Sequence, residues 1–252
     1  VPMKSEKEKT THFGYQVVNE AKKAGMVRDV FDSVATKYDV MNDLMSVGLH
    51  RLWKKFTINL AAVKPGQVIL DLAGGTGDLT EQLIKKVGKN GHVILSDINA
   101  AMLKEGRSRL INSGASNKMN IIQLDAQKLP FNDSIFDSVM IAFGLRNVTD
   151  KEAALSSMYR VLKPGGKVMI LEFSKPNELI KPAYDFYSFN VLPTLGKLVA
   201  NDSKSYQYLA ESIRMHPDQE MLRSMMEKSG FRHNRFHNMA AGIVALHIGY
   251  KV

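Results

Sequence analysis

Positions 68–79 read Val-Ile-Leu-Asp-Leu-Ala-Gly-Gly-Thr-Gly-Asp-Leu, and few folds accommodate such a run. Val68 to Leu72 is apolar enough for a strand buried on both faces, the condition of a parallel sheet. It carries one acid, Asp71, then breaks into Gly74, Gly75 and Gly77 just before a helical pattern over Asp78 to Val87. Glycines at such a corner let backbone approach a ligand where any Cβ would clash. A second strand, His92 to Asp97, also ends in an acid. Asp97 lies twenty positions after Gly77, where a ribose-binding carboxylate falls in nucleotide-type folds. Together these parts predict a pocket for a nucleoside-bearing cofactor.

The dinucleotide fingerprint needs a third glycine, which packs helix on strand. Here Gly77 is followed by Asp78, Leu79 and Thr80, so that glycine is missing. A pyrophosphate would also be repelled by Asp71 and Asp78, whereas a ligand carrying an ammonium and a sulfonium tolerates them. S-adenosylmethionine is such a ligand, and D-x-A-G-G-T-G after a strand is similar to the nucleotide loop of class I methyltransferases.

Strands alternate with helices along the rest of the chain. Met119–Leu124, Ile135–Ile141 and Lys167–Phe173 read as further strands, and Ala100–Asn112 and Lys151–Leu162 as helices. Phe231–Asn238 and Ile243–Tyr250 read as a final pair, one of them an antiparallel edge. The expectation is an α/β fold: a doubly wound, mostly parallel, seven-stranded sheet. Residues 61–252 would form the cofactor-binding domain. Residues 1–60 would form an N-terminal helical segment, and 174–216 a helical insertion after the fifth strand, starting at the carboxyl edge where ligands bind and so able to roof the site.

Composition narrows the class. No stretch of eighteen apolar residues occurs, which predicts no membrane-spanning helix. Val1 to Thr11 is polar and Lys-rich, unlike a secretory signal. With no cysteine the chain has no disulfide, thiolate metal site or Cys nucleophile, which fits a cytoplasmic protein. The net charge of +9 is spread evenly: residues 1–60, 61–173 and 174–252 each net +3. No basic stripe emerges, so nucleic acid is not an expected partner. Mild positive charge suits loose attraction to an anionic membrane surface.

From about Thr11 to Lys251 the chain resembles the ubiquinone/menaquinone-biosynthesis C-methyltransferases. The family signature Y-D-x-M-N-x-x-L-S-x-x-x-H-x-x-W is matched by Tyr38-Asp39, Met41-Asn42, Ser46, His50 and Trp53, with Met45 in the aliphatic slot. A second signature is matched by Arg160 to Gly166, Glu172 and Ser174. The runs Gly144–Val148, Leu198–Asp202 and Leu209–Pro217 also look like this family. The resemblance implies methyl transfer from S-adenosylmethionine to a ring carbon of a polyprenyl quinol; the apolar tail predicts peripheral contact with the inner face of a membrane, and both a homo-oligomer and a quinone-biosynthesis complex stay open as assemblies. It implies that Asp71, Gly74, Gly75, Thr76, Gly77, Asp97 and Ile98 hold the cofactor. Asp125 and Ala126 would flank the adenine. Position 142 would border the pocket; relatives often have Ser where this chain has Ala142.

A quinol carbon is nucleophilic only when an adjacent hydroxyl is ionised or nearly so, and free phenols titrate near ~10 by analogy with tyrosine. The site must lower that value or supply a base. Arg146, at the end of the fourth strand, is expected to stabilise the phenolate, since an arginine stays protonated. His50 and Asp202 are the titratable candidates for proton removal. His50 reads equally well as a helix-packing residue near Trp53, and Asp202 as a helix cap. Asn147, Tyr184, Phe186, Phe189 and Asn201 are expected to meet the substrate, with Phe186, Tyr187, Phe189, Val191 and Leu192 forming a groove for its tail, flanked by Lys181 and Lys197. The rival classes are an NAD-dependent oxidoreductase and a non-catalytic scaffold of a biosynthetic assembly.

Overall fold

The computed structural model describes residues 9–35, 38–114, 119–200 and 202–252. Seven of its strands form one sheet. These are β3 (Val68–Leu72), β4 (His92–Asp97), β5 (Met119–Gln123), β6 (Phe136–Ala142), β7 (Leu162–Phe173), β8 (Arg232–Met239) and β9 (Val244–Tyr250), in the spatial order β5-β4-β3-β6-β7-β9-β8. β3 to β7 run parallel, β9 pairs antiparallel with β7, and β8 closes the edge antiparallel to β9. This is the mixed, doubly wound sheet that the alternating pattern predicts.

Alternation within the strands divides the interior in two, because successive side chains point to opposite faces. Ile69, Met140, Met169 and Leu171 face one apolar cluster; Leu70, Leu72, Val139, Ile141, Val168 and Ile170 face the other. The second cluster is closed by α6 (Lys151–Val161) and α10 (Gln219–Lys228), through Leu155, Met158, Leu222 and Met226. The first is closed by α4 (Asp78–Lys86), α5 (Ala100–Asn112) and the N-terminal helices α1 (Glu20–Val34), α2 (Tyr38–Ser46) and α3 (His50–Ala61). Val27, Val34, Met41, Met45, Trp53 and Ile58 lie in the same cluster as the sheet residues, so the N-terminal helices share the main core.

Two features differ from the expected elements. Ahead of α1 stands a short hairpin, β1 (Thr10–Phe13) and β2 (Gln16–Asn19), within the 1–60 segment expected to be helical. The fifth strand starts at Leu162 instead of Lys167, with Gly165 at φ of 79° inside it. α6 ends at Val161 and β7 begins at Leu162, where Phe136 pairs with Leu162 ahead of a register shift. The insertion comprises α7 (Lys181–Phe186), a π-helical turn (Tyr187–Val191), α8 (Leu192–Ala200) and α9 (Ser203–Met215).

Candidate active site

Five parallel strands direct their carboxyl ends to one edge, and two of them leave the sheet through strained residues. Ala73 after β3 and Phe143 after β6 have φ of 52° and 59°, a left-handed conformation uncommon for residues with a side chain. Between these ends opens a cleft, lined by Leu72, Ala73 and Gly75 from the first loop and by Phe143, Gly144 and Asn147 from the second. Gly144 cannot be larger, since a Cβ there would lie 2.6 Å from that of Ala73.

The glycine loop is built by two distinct constraints. Gly75 and Gly77 adopt φ of 55° and 76°, and Gly77 leads into α4. Gly74 is limited by contact instead: a Cβ would fall 2.5 Å from Leu95 and 2.8 Å from the Asp71 carboxyl. The close helix packing absent from the loop's own pattern comes from α5, where a Cβ on Gly106 would meet the Gly75 carbonyl at 2.9 Å.

Beneath the loop, Asp71 is buried. One of its oxygens accepts from the Thr80 hydroxyl at 2.5 Å, while Oδ1 has no donor among the described residues. Burial pushes its carboxyl up to about 7. Asp97 lines the cleft at the end of β4. Its Oδ2 accepts from the Gly75 N–H at 3.0 Å and its Oδ1 from the Asn99 N–H at 2.8 Å. Burial raises it to about 6, against the opposing pull of those backbone donors. Ile98, Asp125 and Ala126 line the same end, with Asp125 accepting from both the backbone N–H and the side-chain amide of Gln127. Arg28, exposed, is the single basic residue of the lining. A cleft with three acids at or beneath its wall and one Cα-close loop suits a cationic nucleoside. The unsatisfied Asp71 oxygen is an acceptor of the kind an ammonium meets.

The other expected cofactor residues stand one layer back. Thr76 is buried in the loop and Ala142 is the last residue of β6; neither lines the cleft, whose wall at that point is Phe143. The N-terminal segment was expected to be helical, but none of its residues in α1 was expected to line the cleft. Ala24, Val27, Arg28 and Phe31 cover the cleft from above, and Asn99 ties the helix down through the Asp32 carboxylate at 2.8 Å. The repeat of apolar residues on α1 announces a buried face, and nothing in the sequence says which cavity that face covers.

Arg146 sits in a short 3-10 turn, Leu145–Asn147, and its side chain folds inward. Nη1 donates to Glu172 Oε1 at 2.9 Å and to the Phe143 carbonyl, and Glu172 Oε2 accepts from the Arg146 N–H at 3.1 Å. Both side chains are 1% exposed, and the guanidinium lies 5.5 Å from the Phe173 ring centre. Nε has no partner among the described residues. The cleft is lined by its neighbours Gly144 and Asn147, with Arg146 behind them. Asn147, which lines the cleft, accepts from the Tyr208 hydroxyl at 3.0 Å through Oδ1, so its orientation is fixed with the amide nitrogen as its donor group. Burial holds the Tyr208 hydroxyl far above its usual range, so it remains a donor. Nearby, Lys151 donates to the Val148 carbonyl and is pushed down to about 8 by burial, with Lys23 adding to the effect.

The two titratable candidates are placed away from the cleft. His50 starts α3 and is buried. Its Nδ1 lies 3.0 Å from Ser46 Oγ, and burial, then the Lys54 cation, holds it below the ordinary imidazole value. It joins α2 to α3, the packing role. Asp202 is the N-cap of α9, accepting from the Ser205 N–H at 3.0 Å and from the Ser33 hydroxyl at 2.8 Å. Those donors hold its carboxyl below the usual range against partial burial, a poor setting for a base. Asn201 lies outside the described residues.

The expected tail groove is not continuous. Leu192 is buried in the core, and Tyr187 donates to the Leu44 carbonyl. Phe189 stacks at 6.3 Å on Tyr15 and lies under the Arg214 guanidinium, which also covers Tyr184 at 4.9 Å. Phe186 points outward, 64% exposed, and Lys181 is engaged by Asp185 at 3.1 Å. The π-helical turn rotates successive aromatics to different neighbours, which helical spacing alone does not reveal.

Known proteins share both sequence and fold with this chain. The ubiE/COQ5 methyltransferase family matches residues 15–251. A ubiquinone/menaquinone biosynthesis C-methyltransferase of Pseudoalteromonas translucida is 62% identical over 245 residues, covering 97% of this chain and 98% of that protein. The protein of the same description from Methylococcus capsulatus is 61% identical, covering 97% and 99%. Among solved structures, a SAM-dependent methyltransferase from Aquifex aeolicus superposes with a TM-score of 0.64 at 17% identity, covering 87% of this chain and 98% of that one. A SAM-dependent methyltransferase from Thermotoga maritima gives 0.61 at 19%, covering 89% and 99%. The first pair carries the sequence relationship and the second the fold: this chain belongs to the ubiE/COQ5 methyltransferase family.

Proposed function

We propose that this chain transfers the methyl group of S-adenosylmethionine to a ring carbon of a polyprenyl quinol, namely demethylmenaquinol, 2-methoxy-6-polyprenyl-1,4-benzoquinol or both. The observation that carries the reading is the cleft itself. Acidic and glycine-loop groups line one end, and Asn147 brings a pinned amide to the other. The relatives 60–62% identical to this chain, described as ubiquinone/menaquinone biosynthesis C-methyltransferases, support the quinol as substrate.

The residues divide the work. Asp97 accepts from ribose hydroxyls, Ile98 and Ala126 border the adenine, and the Gly74–Gly77 loop brings backbone against the amino-acid end, above Asp71. The bound cofactor supplies an electrophilic methyl on a sulfonium. Asn147, held by Tyr208, donates to a quinol oxygen and lowers the cost of negative charge there. Arg146 acts from behind, fixing the Gly144–Asn147 turn through Glu172. α1 excludes water from above. Holding the ring carbon in line with the S–CH₃ bond supplies much of the remaining acceleration. Membrane association and assembly with other copies or other quinone-biosynthesis proteins belong to the same reading, because the substrate's tail keeps it in a bilayer.

The test is turnover. The protein should convert a short-chain demethylmenaquinol or its benzoquinol counterpart to a product heavier by one methylene, with stoichiometric S-adenosylhomocysteine. Absence of methylation of either quinol under reducing conditions would overturn the substrate assignment.

A further inference from the structure

α3 has two working faces. Its inner face places Trp53 6.3 Å from the Phe143 ring, which lines the cleft, and Lys54 2.9 Å from Asp78 at the head of α4. Its outer face is apolar. Leu49, Leu52 and Phe56 fall one and two turns apart, on one side of the helix. With Val47 in the preceding turn they are all exposed, Val47 by 75%, Leu52 by 63% and Phe56 by 40%. Scattered surface apolar residues need no explanation, but three on one side of a helix start, continued by a fourth in the turn before it, do. His237 of edge strand β8 borders this face, its ring 6.2 Å from that of Phe56.

Charge identifies what this face meets. Arg51 and Lys55 flank the apolar row on the same helix, and α3 contains no acid. The adjoining strand β8 reads Arg-His-Asn-Arg-Phe-His-Asn-Met, again without an acid, and Arg235 stands close enough to raise the local positive field felt by Lys167. On the α2 side, Asp43 is engaged by Arg51 at 2.8 Å. An apolar row rimmed by cations matches an anionic lipid surface, with the side chains entering the acyl boundary and the bases at the headgroups. Two copies of the same face would set like charges against each other.

We propose that the outer face of α3, with the Val47 turn, is the membrane-docking surface, placing the cleft one helix thickness from the bilayer. The assignment rests on the quinol reading for its purpose, and its measurement needs no substrate. The full chain should float with phosphatidylglycerol-containing vesicles and far less with pure phosphatidylcholine. Leu52→Ser with Phe56→Ser should lower that binding at least about tenfold, the loss expected from two apolar side chains withheld from lipid. Lys55→Gln and Arg235→Gln should each lower it about fivefold, only for anionic vesicles and less so in high salt. Leu52→Ser alone serves if the double variant melts early.

Failure of the parent to float, or flotation of the serine variant at parental level, would overturn the proposal. So would loss of binding on Phe186→Ser with none on Leu52→Ser. Sedimentation equilibrium covers the other occupant: a dimer that the serine variant dissociates, with vesicle binding untouched, would make this face a contact between copies and also overturn it. Methylation of a short-chain soluble quinol is read in parallel and should be unchanged in the variants. If the parent itself fails that assay, the quinol reading falls while the vesicle result stands separately.

Discussion

At the scale of single residues, the two cleft carboxylates and the buried ion pair make different demands. Asp97 uses one lone pair on each oxygen for Gly75 and Asn99 and keeps one on each for a ligand. Asp97→Ala is expected to weaken S-adenosylhomocysteine binding by about 1–3 kcal/mol, the cost of unsatisfied buried donors. Unchanged calorimetric affinity would remove Asp97 from the cofactor site. Arg146 poses the opposite problem, being already matched to Glu172 in a region closed to water. Arg146→Met leaves that carboxylate buried and alone, and urea unfolding should show a loss of about 3–5 kcal/mol. Arg146→Met with Glu172→Leu should recover most of that stability. If this double variant folds, binds S-adenosylhomocysteine and still turns over at the parental rate, Arg146 is only a structural group. A rate lowered at least about tenfold with binding intact would show that the pair's hold on the Gly144–Asn147 turn serves the reaction.

Elements show what the sequence carries and what it leaves out. β3, β4, β6 and β7 were legible because each is a run of residues buried on both faces, a pattern that local order alone creates. The cofactor loop was legible because its glycines answer to backbone geometry within a few residues. The hairpin β1–β2 was not, since its strands are half-exposed and polar. It is held from outside, by Phe13 stacked at 4.1 Å on Tyr208. The Arg146–Glu172 pair joins positions 26 apart, and the α1 roof lies over a cleft built some fifty to a hundred residues later; both exist only once the sheet is assembled. Asp202 shows how one residue type serves two readings until its neighbours are placed. As the cap of α9, Asp202→Ala should lower stability by about 1 kcal/mol, seen as an earlier melting transition, while the rate at 20 °C stays near the parental value. A collapse of rate at unchanged stability would restore it as the base.

For the whole molecule, opposing sets of buried titratable groups govern how stability varies with pH. Burial holds His247 down to about 4, and His216 lies well below its usual value, with neither ring nitrogen paired among the described residues. For these bases the unfolded chain binds the extra proton, so their contribution is present above the unfolded value of about 6.5 and is lost as pH falls from there towards 4. Asp71 and Asp97 act in reverse. Raised to about 7 and about 6, they favour the folded state while protonated, and that contribution fades as pH rises from about 4 through 7. The two slopes partly cancel between pH 4 and 7 in the ligand-free protein. A cationic cofactor breaks the balance, because it favours the ionised carboxylates. Two results are therefore expected. His247→Gln should flatten the acid-side loss of melting temperature between pH 6.5 and 4, since the amide need not be kept neutral. S-adenosylmethionine affinity should rise with pH between 5.5 and 7.5, and Asp71→Asn should shrink that rise. A binding constant independent of pH in the parent would show that neither carboxylate changes protonation when the cofactor enters.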